Sequence, residues 1–224
     1  MSEELGFTPQ WRSEPAREGT YREALMFTAD AHSHPSDAWV SMFLKEFDIK
    51  PEDFVPNFPD GDTLIEGVPE SALAGEHRAA LEAIVGVENV SDTARDRVGF
   101  GHGKSIDEDI ALRMGDTPKL PDLIVHPRDK HEVAKIVAYC HERRIPVVPF
   151  GAGSSVVIGT RADFGGVILV LRTHMNALLS INEEDQVAVV QAGMMGPAYE
   201  AALNAKSQSL GAKRAWTGGH FPQS

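Results

Sequence analysis

The residues with the clearest chemical potential lie in a short segment rich in glycine and serine, Gly151-Ala-Gly-Ser-Ser155, directly after an apolar run that ends at Phe150. Gly151 and Gly153 allow a positive backbone φ and let a ligand approach where no Cβ stands in the way. Consecutive N–H groups in such a turn form a concavity that binds anions, and the two serine hydroxyls add donors. The segment therefore predicts a phosphate or pyrophosphate site, although the same pattern by itself is also typical of a tight turn.

Two histidines near the N-terminus form a second candidate site. His32 and His34 follow Asp30 at alternate positions after the apolar run 25–27. An Asp-x-His-x-His pattern at a strand end is typical of amidohydrolase barrels, in which both imidazoles bind a metal ion. Such a barrel usually needs about 250 residues, and the sequence after His34 is shorter and carries no later set of strand-end His and Asp residues. A metal-dependent hydrolase is thus the alternative hypothesis, beside two histidines in a solvated loop.

The composition limits the class of protein. The chain has 224 residues, of which 42% are hydrophobic and 24% charged, as in ordinary globular domains. Its net charge of -12 argues against nucleic acid or an anionic membrane as a partner, because phosphate groups bind clustered Lys and Arg. Cys140 is the only cysteine, which excludes an intrachain disulfide and a multi-cysteine metal site. No apolar run reaches the ~20 residues of a membrane span, and the N-terminus has no signal-peptide pattern, so a cytoplasmic protein is expected.

The first part of the chain is predicted to be a mostly helical arm over residues 1–95. The spacing of its apolar residues predicts one helix that Ser36 caps and a second helix over 76–85. Proline and glycine residues between them predict a long connecting loop over 50–70. Ser91 is predicted to cap a short helix that ends near Arg97.

From Pro121 onward the sequence predicts strands that alternate with helices. Two apolar runs, 123–125 and 145–150, flank an amphipathic helix over 128–144, and this strand–helix–strand unit predicts a parallel pair of strands. Gln191-Ala-Gly193 then leads into a helix with Pro197 in its first turn. The remaining strand-like runs are 167–171, 177–181 and 187–190, with a turn over 182–185.

Four runs of the sequence together resemble a known family. They are Pro121-Asp122, the segment 145–155, Val190-Gln-Ala-Gly193 and Gly219-His-Phe-Pro-Gln-Ser224. In combination they resemble the flavin-linked oxidases of the vanillyl-alcohol oxidase and p-cresol methylhydroxylase (PCMH) type. Within that superfamily, the lead-in from Asp96 to Arg113 is similar to the alkyldihydroxyacetonephosphate synthase branch. The resemblance covers residues 95–224 well and residues 1–90 poorly.

The resemblance implies a fold and a cofactor. The fold is α+β, with an incomplete PCMH-type FAD-binding domain over 96–224 after the helical arm. The cofactor is FAD, held without a covalent bond because Ser154 stands where covalent-flavin relatives carry a histidine. The residues that the resemblance implies in FAD binding are Pro149, Phe150, Gly151, Ala152, Gly153, Ser154 and Ser155 in the pyrophosphate loop, Gly193 in a close-approach turn, and Pro222 and Ser224 at the start of a second contact segment.

The resemblance also implies an activity for the full-length protein. This would be FAD-dependent oxidation or the reaction of an alkyldihydroxyacetonephosphate synthase, on a small molecule of the 2-hydroxy acid or acyl-dihydroxyacetone phosphate class. The family's catalytic residues and cap domain would lie beyond Ser224. We therefore name no catalytic residue, and we expect an inactive fragment that binds FAD weakly or not at all. A homodimer is a further expectation.

One short run and two single residues could also have a chemical role. The run Phe100-Gly-His102-Gly-Lys104 lacks the spacing of a P-loop and predicts a flexible turn. Cys140 lies on the apolar stripe of its helix and is predicted to be a small core residue. His220 lies in the segment that the resemblance brings close to FAD, where it is predicted to shape that segment rather than to transfer a proton.

Overall fold

The structure is a computed structural model that describes residues 16–26, 37–50, 53, 59, 61–117, 119–182 and 184–209. Its helices are α1 (Tyr21–Met26), α2 (Asp37–Glu46), α3 (Gly75–Val85), α4 (Ala94–Phe100), α5 (Ile106–Arg113), α6 (Lys130–Arg143) and α7 (Gly196–Ser209). Its strands are β1 (Val90–Ser91), β2 (Leu123–Val125), β3 (Val147–Phe150), β4 (Val167–Val170), β5 (Leu178–Asn182) and β6 (Val187–Val190). A short 3-10 helix, Val87–Asn89, precedes β1. These elements confirm the predicted α+β class.

The central element is a four-stranded sheet with the order β1-β2-β4-β3. Strands β2 and β3 run parallel to β4, whereas β1 is antiparallel to β2. Leu123 and Val147 both pair with Val167, so the two flanking strands share one register on β4. The predicted strand–helix–strand unit is present, but its two strands are not neighbours because β4 lies between them. Every side chain of β2 and β4 is buried, as expected for a sheet that is covered on both faces.

Helices α3 and α6 cover one face of this sheet. Leu81 and Val85 of α3 join Ile136 and Cys140 of α6 in one cluster of buried apolar side chains, together with residues of β2 and β4. Cys140 is therefore a core residue, as predicted, and burial raises the pKa of its thiol. A thiol in such an apolar setting is chemically inert.

The opposite face of the sheet carries a second apolar cluster around two aromatic rings. Phe100 ends α4 and Phe150 ends β3, and their ring centroids lie 5.1 Å apart in an edge-to-face arrangement. Ile124, Ile168 and Val170 of the sheet complete this cluster. A third cluster joins α1, α4 and α5 beside it.

The N-terminal third of the chain contributes to the same core. Helix α3 and strand β1 precede the predicted domain boundary at residue 95, yet α3 packs in the cluster of α6 and β1 pairs with β2. The boundary itself stays a prediction. The predicted helix cap is wrong, because Ser91 belongs to β1 and Thr93 caps α4 by accepting a hydrogen bond from the amide of Asp96 at 3.2 Å.

Helix α2 forms where the apolar spacing predicts it, but its described apolar side chains do not join the core. Phe47 is 63% exposed, and Phe43 is exposed as well. The two rings pack on each other with centroids 4.6 Å apart. The predicted cap of this helix, Ser36, lies outside the described residues.

Strands β5 and β6 form an antiparallel pair of their own. The carbonyl oxygen of the Asn182 side chain accepts hydrogen bonds from the amides of Glu184 at 3.0 Å and Asp185 at 3.1 Å, which closes the turn between the strands. Helix α7 follows, and Leu203 on its inner face is buried. The strands, turn and helix predicted between residues 177 and 203 are therefore confirmed.

Candidate cofactor site

The glycine loop, defined here as residues 149–155, lies at the carboxyl end of strand β3. Phe150 is the last residue of that strand, pairs with Val170 of β4 and has a fully buried side chain. Ligands of parallel sheets bind at this edge, beyond the carboxyl ends of the strands. The buried end of β3 therefore anchors the loop, whereas most residues after Phe150 are partly exposed.

The two glycines of the loop have different conformations. Gly153 has a φ of +72°, in the region that favours glycine. Gly151 has no positive φ, and a Cβ at that position would meet only the carbonyl oxygen of Ala192, at 3.5 Å. The backbone conformation thus requires Gly153 to be glycine, whereas Gly151 leaves free space along the surface of the loop.

The backbone N–H groups of the loop have no acceptor among the described residues. In the part of the chain that the structure describes, the N–H groups of residues 151–155 donate no hydrogen bond to another residue. The sheet is not their partner either, because the β3–β4 pairing ends at Phe150 and Val170. Within the described part of the chain, these five consecutive N–H groups therefore lack an intramolecular acceptor.

Two atoms of Ser155 accept hydrogen bonds from backbone amides of other residues. Its Oγ accepts a hydrogen bond from the amide of Gly159 at 2.8 Å, and its carbonyl oxygen accepts one from the amide of Lys104 at 2.6 Å. The hydroxyl hydrogen of Ser155 is left to donate, since a hydroxyl can accept and donate at the same time. Ser154 makes no side-chain hydrogen bond to a described residue, so its hydroxyl is available as well.

The segment Gly101–Lys104 forms the predicted turn between α4 and α5 and packs against the end of the glycine loop, and its flexibility stays a prediction. Residues 101–103 are buried. A Cβ on Gly103 would lie 2.4 Å from the carbonyl oxygen of Ser155, a distance at which only glycine fits. The Nζ of Lys104 donates to the carbonyl oxygen of Leu25 in α1, and burial lowers the pKa of this amine. This segment therefore fixes Ser155 rather than forming a phosphate site of its own.

The turn at Gly193 makes a close approach, but the group that it approaches is the protein backbone. A Cβ on Gly193 would lie 2.3 Å from the Cα of Arg172, just after β4. The amide of Gly193 donates to the carbonyl oxygen of Met175 at 2.9 Å. A Cβ on Gly151 would have the carbonyl oxygen of Ala192 as its nearest neighbour, so the turn at Gly193 also borders the glycine loop.

Two charged residues with no role predicted from the sequence hold the surrounding loops. Arg97 is buried, and its guanidinium donates to the carbonyl oxygens of Pro69 and Pro121, each at 2.6 Å. The carboxylate of Asp122 accepts a hydrogen bond from the amide of Gly166 at 2.6 Å, directly before β4. For Asp122, the sequence signal is a charge that adjoins a buried strand, because such a charge needs backbone partners.

Several predicted site residues cannot be placed. Pro222, Ser224 and His220 lie outside the described residues, as do His32 and His34 of the alternative hypothesis. Among the residues that are described, no group of three or more His, Cys, Asp or Glu side chains could hold a metal ion. Within the same residues, no helix is both long enough and apolar enough to cross a bilayer.

A comparison with known families agrees with this geometry. A family model described as an FAD binding domain matches residues 121–219. The match begins just before strand β2 and includes the glycine loop and Gly193.

Two curated relatives each match a part of the chain. The sequence is 32% identical over 137 residues to the alkyldihydroxyacetonephosphate synthase of Caenorhabditis elegans. The alignment covers 60% of this chain and 22% of the relative. It is 40% identical over 76 residues to the glycolate oxidase subunit GlcD of Bacillus subtilis. That alignment covers 34% of this chain and 16% of the relative. The chain thus spans less than a quarter of the length of either relative.

Solved structures share the fold. An alkyldihydroxyacetonephosphate synthase superposes with a TM-score of 0.60 and 27% identity, over 65% of this chain and 30% of that one. A p-cresol methylhydroxylase superposes with a TM-score of 0.51 and 19% identity, over 63% of this chain and 27% of that one, a likeness of fold alone. The parallel sheet, the glycine loop and the family match define a flavin-nucleotide-binding class of protein. Residues 121–219 match the FAD binding domain family, and the comparisons confirm the predicted resemblance to PCMH-type FAD-linked oxidases.

Proposed function

We propose that this chain binds FAD without a covalent bond and that the glycine loop holds the pyrophosphate. The observation that carries the proposal is the row of five N–H groups, residues 151–155, that have no partner among the described residues. Such a row of backbone donors is suited to phosphate oxygens, and the anion satisfies the donors in return. The loop contains no histidine or cysteine that could form a covalent link to a flavin.

The other cofactor contacts belong to the same proposal. Pro149 and Phe150 are the first residues of the loop, at the end of β3. Gly193 lies beside the loop, because its neighbour Ala192 borders the space at Gly151. Pro222 and Ser224 are proposed to begin a second contact segment. FAD supplies redox chemistry when bound, and these residues bind and orient it.

The activity of the whole protein is a further part of the proposal. We propose an FAD-linked reaction of the oxidase or alkyldihydroxyacetonephosphate synthase type, on a small molecule of the 2-hydroxy acid or acyl-dihydroxyacetone phosphate class. Support comes from the relatives, whose names are alkyldihydroxyacetonephosphate synthase and glycolate oxidase subunit GlcD. The cytoplasmic location and the homodimer stay predictions. No observation on the described residues favours a hydrolase that uses His32 and His34.

The test is a fluorescence titration of FAD with the wild-type chain and with Gly151→Ala. A Cβ at residue 151 is compatible with the fold but occupies the surface of the loop that would face the pyrophosphate. We expect saturable binding with a dissociation constant above about 1 μM, because the loop contacts only one part of FAD. We expect Gly151→Ala to weaken FAD roughly tenfold while its thermal midpoint stays within about 2 °C of the wild type.

Two controls separate the pyrophosphate contact from other modes of binding. ADP, which contains a pyrophosphate, should compete with FAD, whereas AMP, which lacks one, should compete much less. Equal competition by AMP, or unchanged FAD affinity in Gly151→Ala, would contradict the proposed loop contact. Acid precipitation of the FAD-bound protein should release all flavin into the supernatant, and flavin retained in the pellet would contradict non-covalent binding.

A further inference from the structure

Arg172 is a cationic residue just after β4, at the same edge of the sheet as the glycine loop. Strands β3 and β4 end in the paired residues Phe150 and Val170, so the chain leaves the sheet at one level on both strands. The backbone of Arg172 lies against the turn at Gly193, which also borders the glycine loop. Arg172 and the glycine loop therefore flank the same turn.

The side chain of Arg172 reaches the aromatic residues at the start of the loop. The central carbon of its guanidinium lies 5.8 Å from the centroid of the Phe100 ring, a distance at which the face of the ring attracts a cation. The Phe100 ring in turn lies 5.1 Å from the ring of Phe150, the second residue of the loop. Since Arg172 is only half-buried, its guanidinium can meet a ligand at this edge.

The charge of Arg172 acts on two other groups around the loop. Burial lowers the pKa of Lys104, and the positive charge of Arg172 contributes to this lowering. Burial also lowers the pKa of His126, just after β2, and Arg172 contributes there as well. Because the amide of Lys104 donates to the carbonyl oxygen of Ser155, the guanidinium lies within electrostatic reach of the far end of the loop.

The glycine loop itself offers donors without a net charge. Its backbone N–H groups and serine hydroxyls are neutral, whereas both phosphates of a pyrophosphate are anionic and the chain has a net charge of -12. Two cations nearby already donate to the protein backbone. Lys104 donates to the carbonyl oxygen of Leu25, and Arg97 donates to two proline carbonyl oxygens. Among the described cations at this edge, Arg172 is therefore the one placed to balance the charge of a bound anion.

We propose, on the basis of the proposed FAD site, that Arg172 is a further cofactor-binding residue whose guanidinium donates to a phosphate oxygen of the pyrophosphate. A guanidinium can offer a phosphate two parallel N–H donors, and such charge-assisted hydrogen bonds are about twice as strong as those between neutral groups. The loop supplies the geometry and Arg172 supplies the positive charge. Arg172 thereby favours a phosphorylated flavin over uncharged riboflavin.

The test is a fluorescence titration of FAD with the whole chain and three variants. Arg172→Gln removes the charge, and Arg172→Lys keeps the charge but loses the paired donors. Arg143→Gln is the matched control, because it removes an exposed cation from α6, on the opposite face of the sheet from Phe100. We expect FAD affinity to fall roughly tenfold in Arg172→Gln, roughly threefold in Arg172→Lys and less than about twofold in the control. Equal FAD affinity in Arg172→Gln and Arg143→Gln would overturn the proposal.

Two further measurements distinguish a charge contact from a purely structural role of Arg172. Raising the ionic strength from about 0.05 M to about 0.5 M should weaken FAD binding by the wild type more than by Arg172→Gln, because salt screens the charge. Inorganic pyrophosphate should compete with FAD, and its inhibition constant should rise in Arg172→Gln by the same factor as the dissociation constant of FAD. The same salt dependence in both proteins, or competition by pyrophosphate that the variant leaves unchanged, would contradict the contact.

The outcomes also separate this contact from the proposed function. If Gly151→Ala weakens FAD binding and Arg172→Gln does not, the loop site stands and the role of Arg172 is wrong. No saturable binding of FAD by the wild type would overturn both. If Arg172→Gln does not fold, the Nε–H resonance of Arg172 in the wild type takes its place. Inorganic pyrophosphate should shift this resonance and leave that of Arg143 in place, and an unmoved Arg172 resonance would overturn the proposal.

Discussion

At the scale of single residues, the candidate site depends on glycines that are required for different reasons. Gly153 has a positive φ, whereas Gly193 and Gly103 leave no room for a Cβ against the backbone of Arg172 and Ser155. Gly151 has neither constraint. The three constrained glycines therefore serve the fold, and Gly151 is the position at which a substitution can report on a ligand alone.

The close approach at Gly193 predicts a large effect of a single methyl group. In Gly193→Ala the Cβ would overlap the backbone just after β4, and neither backbone can move without disturbing the sheet. We expect the free energy of unfolding to fall by about 3 kcal/mol, measured by urea denaturation. The matched control is Gly151→Ala, for which we expect a change of less than about 0.5 kcal/mol. Similar losses in both variants would contradict the contact with Arg172.

His102 predicts a dependence of stability on pH. Its pKa is about 4 in the folded protein and 6.5 in the unfolded chain, so the unfolded chain binds the additional proton between these values. Stability therefore rises with pH from 4 to 6.5 and receives no contribution from this group at higher pH. Protonation of His102 should cost about 3 kcal/mol of stability in full at pH below 4.

The measurement for this prediction is urea unfolding at pH 7.5 and pH 4.5 for the wild type and His102→Phe. The variant lacks the titrating group, so it should lose about 2–3 kcal/mol less stability than the wild type over this interval. Comparing the two proteins removes the contribution of the other titrating groups. Parallel losses would mean that the ring is not held neutral by burial.

At the scale of elements, the site is held by contacts that run from loops to the ends of strands. The side chain of Arg97 in α4 binds the backbone carbonyl oxygens of Pro69 and of Pro121, which lies just before β2. Lys104 binds α1 through its side chain and the glycine loop through its amide. Lys104 therefore connects helix α1 to the glycine loop, and Arg97 connects helix α4 to the segments that precede α3 and β2.

The two sheets predict a difference in local stability. Strand β4 has a strand on each side and four buried side chains, whereas β5 and β6 have no third strand among the described residues and carry exposed valines and leucine. We expect the amide of Ile168 to exchange roughly a hundredfold more slowly than the amide of Val189, because opening β4 requires disruption of the main core. Native-state hydrogen exchange at neutral pH measures both. Equal protection would show that the hairpin unfolds only together with the sheet.

At the scale of the whole molecule, the FAD-binding region and the elements before it form a packed unit. The family match begins at residue 121, yet Leu81 and Val85 of α3 lie in the same cluster as Ile136 and Cys140 of α6. Strand β1 extends the sheet at β2. Residues 75–91 therefore stabilise the position of β2. The FAD titration proposed above is best made on a chain that includes them.

The amino-acid sequence by itself determined the local elements and the place of the glycine loop. The apolar run 123–125 and the run before Phe150 became strands, and the stripe that includes Cys140 became the buried face of α6. The run Gly151–Ser155 formed a loop at a strand end, and its backbone donors have no partner in the part of the chain that the structure describes. Such features follow from side-chain periodicity and from glycine conformation, which act over a few neighbouring residues.

Only the tertiary structure decided which elements meet. It placed β4 between β2 and β3, set Gly193 against Arg172 rather than in open space, and joined Lys104 to the loop through Ser155. It also left Nε2 of the buried His102 ring without a hydrogen-bond partner among the described residues. These outcomes depend on pairings between residues far apart in the chain, whose free energy comes from shared burial and from the satisfaction of backbone groups, and no local pattern in the sequence encodes that choice.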